Sequence, residues 1–133
     1  MNKDKKIVLS VDCMGGDNSV DEIIGGVNWF CSEYNNDTFI LHGDKKSIIE
    51  ALDKYPKIKQ KCKIKHCEKV IQMGDKPAQS IRGGKNSSMW NSIESVKASK
   101  AEVAVSCGNT GSLMAISTLL LRKLPDVKRP AIA

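Results

Sequence analysis

The sequence predicts a doubly wound α/β fold with a mostly parallel sheet, and three observations support this prediction. Short apolar runs alternate along the chain with segments whose apolar residues recur at helical spacing. Glycine-containing turns follow the first and last of these runs, as in sheets that bind ligands at their carboxyl edge. With 133 residues, of which 41% are hydrophobic and 27% charged, the chain has the composition of one globular domain.

Four strands are predicted along the chain. The first, at 7–11, is almost continuously apolar, as in a strand covered on both faces. A second is expected at 38–41, and a third at 61–66, where alternating lysines favour a position at the sheet edge. A short buried strand at 103–105 is the fourth, and 129–133 looks like the opening of a fifth. Right-handed crossovers then favour the spatial order 3-2-1-4.

Helices are predicted between these strands. The first begins at Ser19, which has capping-box spacing to Glu22 and is followed by an apolar stripe. Three more are expected at 48–55, 89–96 and 110–123, the second and last of the four predicted helices being ended by proline. The alternation of strands and helices is therefore complete from the first strand to the fourth.

Charge and composition narrow the function classes. The net charge is +6, which suits an acidic partner, an anionic substrate or a membrane surface. Because 18 of the 21 basic residues are lysine, a solvated lysine-rich surface is the alternative explanation. Aromatic residues make up only 5%, which disfavours nucleic-acid binding. An odd number of cysteines without framework spacing, and no apolar run of membrane-spanning length, predict a cytoplasmic protein.

Two glycine-containing turns are candidates for an anion site. One, at 12–17, follows the first strand, and the other, at 106–111, follows the fourth. Each precedes a helix, whose first backbone N–H groups are unpaired and favour an anion. The predicted topology brings the two turns together at the carboxyl edge of the sheet. The candidate phosphate-binding residues here are Asp12, Gly15, Gly16, Gly108, Asn109, Thr110 and Gly111.

The link at 73–89 adds positive charge to this site. It connects the outer strand to the central one, so it has to cross near the carboxyl edge of the sheet. It carries Lys76, Arg82 and Lys85, and arginine is otherwise rare in the chain. We expect the three cations to face the two turns and to offset the charge of a bound anion. The alternative is that each is a solvated surface residue.

Several other chemistries fail on residue spacing. The stretch 83–86 resembles the end of a P-loop but lacks its first glycine and its final Ser or Thr. No dinucleotide-binding glycine pattern follows a central strand, so no cofactor is expected. Cys62 and Cys67 fall on opposite faces of a strand, which argues against a metal site with His66. His42 and His66 are interpreted as structural, because neither lies beside a candidate nucleophile.

Three segments in register resemble a known family. Residues 12–18, 75–89 and 108–115 are similar, in order and spacing, to the PlsX-type phosphate acyltransferases of bacterial phospholipid synthesis. The resemblance extends over essentially the whole chain. Cys107 and Ser112 depart from it, because alanines are common at these positions around the Gly-Asn-Thr-Gly turn.

The resemblance implies an enzyme that transfers a fatty acyl group from acyl carrier protein to inorganic phosphate, giving acyl phosphate. It implies a fold like that of the isocitrate and isopropylmalate dehydrogenases, a homodimer, and peripheral association with the inner face of the membrane. Family chains are more than twice as long. The single domain at 1–133 is therefore expected to be the truncated, N-terminal portion of such a chain.

Catalytic roles follow as hypotheses from the residues. The two turns would hold phosphate while Lys76, Arg82 and Lys85 offset its charge. Either Asn109 or a backbone N–H would stabilise the tetrahedral oxyanion. Two alternatives stay open: a phosphotransacetylase-like enzyme that uses coenzyme A, and a non-catalytic module that binds anions or another protein.

Overall fold

Four parallel strands form one sheet in the computed structural model, which describes residues 5–131. Their spatial order is β3-β2-β1-β4, and all three pairings are parallel. The predicted strand order and the edge position of the third strand are therefore confirmed. The strands are β1 (Val8–Asp12), β2 (Thr38–Gly43), β3 (Cys62–His66) and β4 (Val103–Ser106).

Five α-helices and one short 3-10 helix surround the sheet within the described range. The predicted capping box is present: the N–H of Glu22 donates to Ser19 Oγ at 3.2 Å, and its carboxylate accepts from the Ser19 N–H at 3.3 Å. The helices are α1 (Val20–Glu33), α2 (Lys45–Leu52), α3 (Pro77–Gly83), α4 (Ser88–Lys97) and α5 (Thr110–Leu121), with the 3-10 helix at Pro56–Lys61. The sequence did not predict α3, and α2 ends before the expected proline.

The two faces of the sheet are different in chemistry. Leu9, Val11 and Leu41 point to one face and join α1 and α2 in the larger apolar core. Each fully buried side chain of this kind contributes roughly 1.5–3 kcal/mol of transfer free energy. Ser10 and His42 point to the other face, which α4 covers. The core therefore lies mainly between the sheet, α1 and α2, with a second cluster between α4 and α5.

The prediction of a buried fourth strand is wrong. Val103 and Val105 are 41% and 40% exposed, because α1 lies over β1 and β2 and no described element covers β4 on that face. The fifth strand is not formed at 129–131, and Ile132 and Ala133 lie outside the described residues. Of the helices in the described range, none has the length and apolarity needed to cross a membrane.

Candidate anion-binding site

The two glycine-containing turns pack against each other, backbone to backbone. Gly16 has a φ of +85°, and a Cβ placed on it would lie 2.1 Å from the carbonyl oxygen of Cys107. A Cβ on Gly15 would lie 3.0 Å from the Cα of Gly108. A side chain at Gly16 is therefore excluded both by the left-handed backbone and by the neighbouring turn. The structure brings together the two turns that the predicted topology places at one edge.

Asp12 lies beneath this contact and ties the two turns together. Its side chain is 1% exposed. One carboxylate oxygen accepts from the Met14 N–H at 3.1 Å, and the other accepts from Ser106 Oγ at 2.8 Å. Ser106 Oγ also accepts from the Gly108 N–H at 3.1 Å. Because both carboxylate oxygens already have protein donors, Asp12 shapes the backbone of the site from below.

Asn109 is the N-cap of α5 and connects two segments of the chain. Its Oδ1 accepts from the Ser112 N–H at 3.1 Å. Its Nδ2 donates to the carbonyl oxygens of Gln72, Met73 and Asp75 at 3.2, 3.1 and 2.7 Å. The side chain is only 8% exposed, so its two amide hydrogens are both directed at carbonyl oxygens of the protein. Asn109 thereby holds the turn before α3 against the start of α5.

The N-terminus of α5 presents donors without partners. Within residues 5–131, the backbone N–H groups of Thr110 and Gly111 donate to no protein acceptor. Such groups, together with the partial positive charge of a helix N-terminus, favour an anion. The start of α3 packs beside them, since a Cβ on Gly111 would lie 3.1 Å from Pro77 Cγ. Ser80 and Ser112 join the two helices by a hydroxyl hydrogen bond of 2.7 Å.

The three cations of the link lie at different places relative to this site. Lys76 is the N-cap of α3, between the Asp75 carbonyl that Asn109 binds and the Pro77 ring beside Gly111. Arg82 follows the buried Ser80 by two residues, about 200° around the helix axis, and therefore starts from another side of α3. Among residues 5–131, no hydrogen bond or ion pair joins the side chains of Arg82 and Lys85 to the two turns.

All three cationic side chains are exposed. In the part of the chain that the structure describes, none of them forms an ion pair or donates a hydrogen bond. Of the three, Lys76 is the one whose backbone adjoins the start of α5. Because no carboxylate between residues 5 and 131 pairs with these groups, their charge is available to a ligand.

The sequence analysis missed two features of the site. One is α3, whose start was signalled by Pro77, because proline is favoured in the first turn of a helix. The other is Ser106, which receives the Gly108 N–H and donates to the Asp12 carboxylate. A serine at a strand end has no sequence pattern that identifies its partners, so nothing short of the fold could have found this role.

The buried cysteines are packing groups. Burial raises the pKa of Cys13 and of Cys67, and raises the pKa of Cys62 to about 12. Thiols with a raised pKa carry little thiolate at neutral pH, so they are poor nucleophiles. Across residues 5–131, no group of three or more His, Cys, Asp or Glu side chains is placed to hold a metal ion.

Comparison with known proteins assigns the family. The family model described as "Fatty acid synthesis protein" matches residues 7–133. The chain belongs to this family. It is 48% identical over 128 residues to a phosphate acyltransferase of Cereibacter sphaeroides, covering 96% of the chain and 35% of that protein. It is 43% identical over 132 residues to a phosphate acyltransferase of Roseobacter denitrificans, covering 99% of the chain and 37% of that protein.

A third relative gives the same result. The chain is 44% identical over 128 residues to a phosphate acyltransferase of Caulobacter vibrioides, covering 96% of the chain and 36% of that protein. The resemblance to the PlsX-type phosphate acyltransferases is confirmed. The chain spans about a third of the length of the curated relatives it matches.

Proposed function

We propose that the protein to which this chain belongs transfers a fatty acyl group from acyl carrier protein to inorganic phosphate. The observation that best supports this reaction is the N-terminus of α5, where the N–H groups of Thr110 and Gly111 lie beside two glycine turns packed backbone to backbone. Relatives that match nearly the whole chain are named phosphate acyltransferase. A donor-rich turn in which the Asp12 carboxylate is already hydrogen-bonded through both oxygens suits a substrate that is itself an anionic nucleophile.

The chemistry needs positioning more than proton transfer. A phosphate oxygen attacks the thioester carbonyl, which becomes a tetrahedral oxyanion. The oxyanion then collapses, the C–S bond breaks, and the carrier protein leaves as a thiolate that takes up a proton from water. The product is an acyl phosphate and the free carrier thiol. Orientation of the two reactants and stabilisation of the oxyanion supply the rate enhancement.

Roles follow from the contacts around α5. The N–H groups of Thr110 and Gly111, with the turn at Gly15 and Gly16, would hold phosphate. Of the two oxyanion donors considered from the sequence, we favour a backbone N–H, because Asn109 directs its amide hydrogens at three carbonyl oxygens. Asn109 is then a positioning residue.

The cations of the link would balance the charge of phosphate. Lys76, whose backbone adjoins the start of α5, is assigned to the bound anion. Arg82 and Lys85, which lie later in the link, are assigned to balance the charge of the same phosphate. This assignment agrees with their exposure and with the lack of ion pairs to them within the described residues.

An acidic carrier protein is supported by charge at the β3 edge. A groove of about 1030 Å³ lies there on the α4 face, and Lys61, Lys63, Lys65 and Lys100 line it, with Glu94 as its acidic residue. Such a surface speeds the encounter with an acidic partner. From the resemblance we also carry over a cytoplasmic homodimer associated peripherally with the inner face of the membrane.

The reaction is tested on the full-length protein. Incubation with phosphate and either an acyl carrier protein thioester or acyl-coenzyme A, followed by trapping with hydroxylamine, measures acyl phosphate from each donor. We expect product with both phosphate and a donor present, and a preference for the carrier protein. A preference for coenzyme A would support the phosphotransacetylase-like alternative. No product from either donor would support the non-catalytic module.

Two substitutions test the charge assignment. We expect Lys76→Ala and Arg82→Ala each to lower kcat/KM for phosphate on the order of a hundredfold, because each removes a cation from a multiply charged anion. The matched control is Lys57→Ala in the exposed 3-10 helix, which precedes β3 and lies at the opposite edge of the sheet. Steady-state kinetics with varied phosphate measures all three. Unchanged turnover in Arg82→Ala would remove that residue from the site.

A further inference from the structure

An apolar cavity of about 440 Å³ lies between α1 and the uncovered face of β4. Its floor is formed by Leu9 and Val11 of β1 and by Val105 of β4. Its wall is the side of α1 that carries Ile23, Val27 and Phe30. The volume falls within the range of roughly 300–1,000 Å³ that is typical of small-molecule sites. The cavity is therefore large enough for a ligand, and its lining is mainly apolar, with Glu22 of α1 as a charged residue in its wall.

One end of the cavity reaches the candidate anion site. Asp12 and Asn18 of the first turn and Cys107 of the second line it. Cys107 is the residue whose carbonyl oxygen faces Gly16 in the packed corner. The apolar cavity thus borders the second turn at Cys107, three residues before Thr110, whose N–H is the first of the unpaired donors of α5 within the described residues. A substrate that carries an alkyl chain on a carbonyl next to phosphate has this arrangement of apolar and charged parts.

We propose that this cavity holds the alkyl chain of the acyl donor, and that Gly26 controls the chain length it accepts. This inference rests on the proposed function, since it assumes that an acyl group is transferred at the glycine corner. Each methylene buried there would raise affinity about fourfold, from the usual transfer free energy of a CH₂ group.

Gly26 is the residue of α1 that keeps the cavity open. It lines the cavity, and a Cβ built on it meets no atom within 4 Å. Glycine in the middle of a helix disfavours the helix, so its presence needs another explanation. Its neighbour has one, because a Cβ on Gly25 would lie 3.3 Å from the Tyr55 hydroxyl. Gly26 is itself exposed and lines the cavity, so the space that its absent side chain leaves is open at the mouth of the cavity.

A chain-length series on the full-length enzyme tests the assignment. We expect Gly26→Leu to lower kcat/KM for a palmitoyl donor by at least about tenfold, and for a butyryl donor by less than about twofold, because only the long chain reaches the added side chain. Gly26→Ala should give a smaller effect of the same kind. Ser32→Leu is the matched control, because it adds the same side chain to an exposed position of α1 outside the cavity.

Each outcome separates the cavity from the reaction. Equal loss for both donors, or no loss, overturns the assignment of the cavity while the acyl transfer stands. If the unmodified enzyme forms no acyl phosphate, direct binding of a fluorescent long-chain fatty acid decides the point. Binding that Gly26→Leu abolishes and Ser32→Leu preserves supports the cavity without the reaction, and no binding overturns it. A lowered Tm in Gly26→Leu with unchanged chain preference means that protein fills the cavity, and overturns the proposal.

Discussion

Within residues 5–131, the two edges of the sheet leave opposite faces uncovered. The side chains exposed at the two edges are different, apolar at one and charged at the other. At the β4 edge, Val103 and Val105 are exposed on the α1 face, and α1, β1 and β4 enclose an apolar cavity. At the β3 edge, Lys63 and Lys65 are exposed on the α4 face and line a lysine-rich groove. One edge therefore exposes charged side chains and the other exposes apolar ones.

The difference indicates what each edge can do. Lysine side chains on an outer strand are well hydrated, hinder pairing of that strand with another chain, and attract acidic partners from a distance. The free energy falls whenever an apolar group displaces water from the uncovered valines. The candidate anion site lies at the carboxyl end of the apolar half, between β1 and β4. A ligand at the β4 side of the sheet would therefore meet both the candidate anion site and an apolar surface. A ligand at the β3 side would meet mainly lysine side chains.

The largest effect is expected at the glycine corner. We predict that Gly16→Ala lowers the free energy of unfolding by about 3 kcal/mol. The new Cβ would collide with the Cys107 carbonyl oxygen, and alanine would have to adopt the left-handed backbone conformation of Gly16. Urea unfolding of the full-length protein measures this. The control is Gly74→Ala, where a Cβ meets no atom within 4 Å and a change within about 0.5 kcal/mol is expected. Equal effects at the two glycines would contradict the packed corner.

The next effect concerns pH and belongs to the β3 half. His42 Nε2 lies 3.0 Å from Ser10 Oγ and 3.2 Å from Ser95 Oγ, while its buried Nδ1 has no partner among the described residues. Burial, helped by the nearby Lys65 charge, lowers the pKa of His42 to about 4. In the unfolded chain the His42 ring takes up a proton near its ordinary pKa of 6.5, whereas in the folded protein it stays neutral to about pH 4. The two states therefore differ in protonation between these pH values.

The sign of the pH dependence follows from this shift. Above pH 6.5 the ring is neutral in both states, and its contribution to stability is fully present. As the pH falls toward 4, the unfolded state takes up the proton first, so stability falls by at most about 1.4 kcal/mol per pH unit. Urea unfolding at several pH values measures the slope. His42→Gln should flatten it, and an unchanged slope in this variant would assign the dependence to other groups.

The smallest effect on stability is expected from the lysines of β3. We predict that Lys63→Glu combined with Lys65→Glu changes the free energy of unfolding by no more than about 0.5 kcal/mol, because both side chains are exposed. The KM for the carrier protein thioester should rise on the order of fivefold, more at low salt than at high salt. Kinetics at two ionic strengths measure this. An unchanged KM would move the carrier protein to another surface.

Much of the fold could be predicted from local patterns. The order of the strands followed from right-handed crossovers, and the start of α1 from the spacing of Ser19 and Glu22. The meeting of Gly16 with the second turn followed from the topology alone. These features depend on residues close in sequence or on handedness rules, which a single sequence contains.

What the sequence did not predict depends on contacts between distant segments. The exposure of Val105 depends on which element covers β4, and an apolar β-branched run carries no information about that cover. The amide of Asn109 looked available to a ligand because its three carbonyl partners lie more than thirty residues earlier in the chain. The direction of Arg82 depends on the position of α3, which the sequence analysis did not predict.

The contact between the two turns depends on the backbone of residue 107 and not on its side chain. Cys107 presents its carbonyl oxygen to Gly16, while its own side chain is exposed. Residue 107 can therefore be exchanged at little cost to this backbone contact. Gly16 has no such freedom, and a mutational scan of the corner should tolerate many residues at one position and a single residue at its neighbour in space.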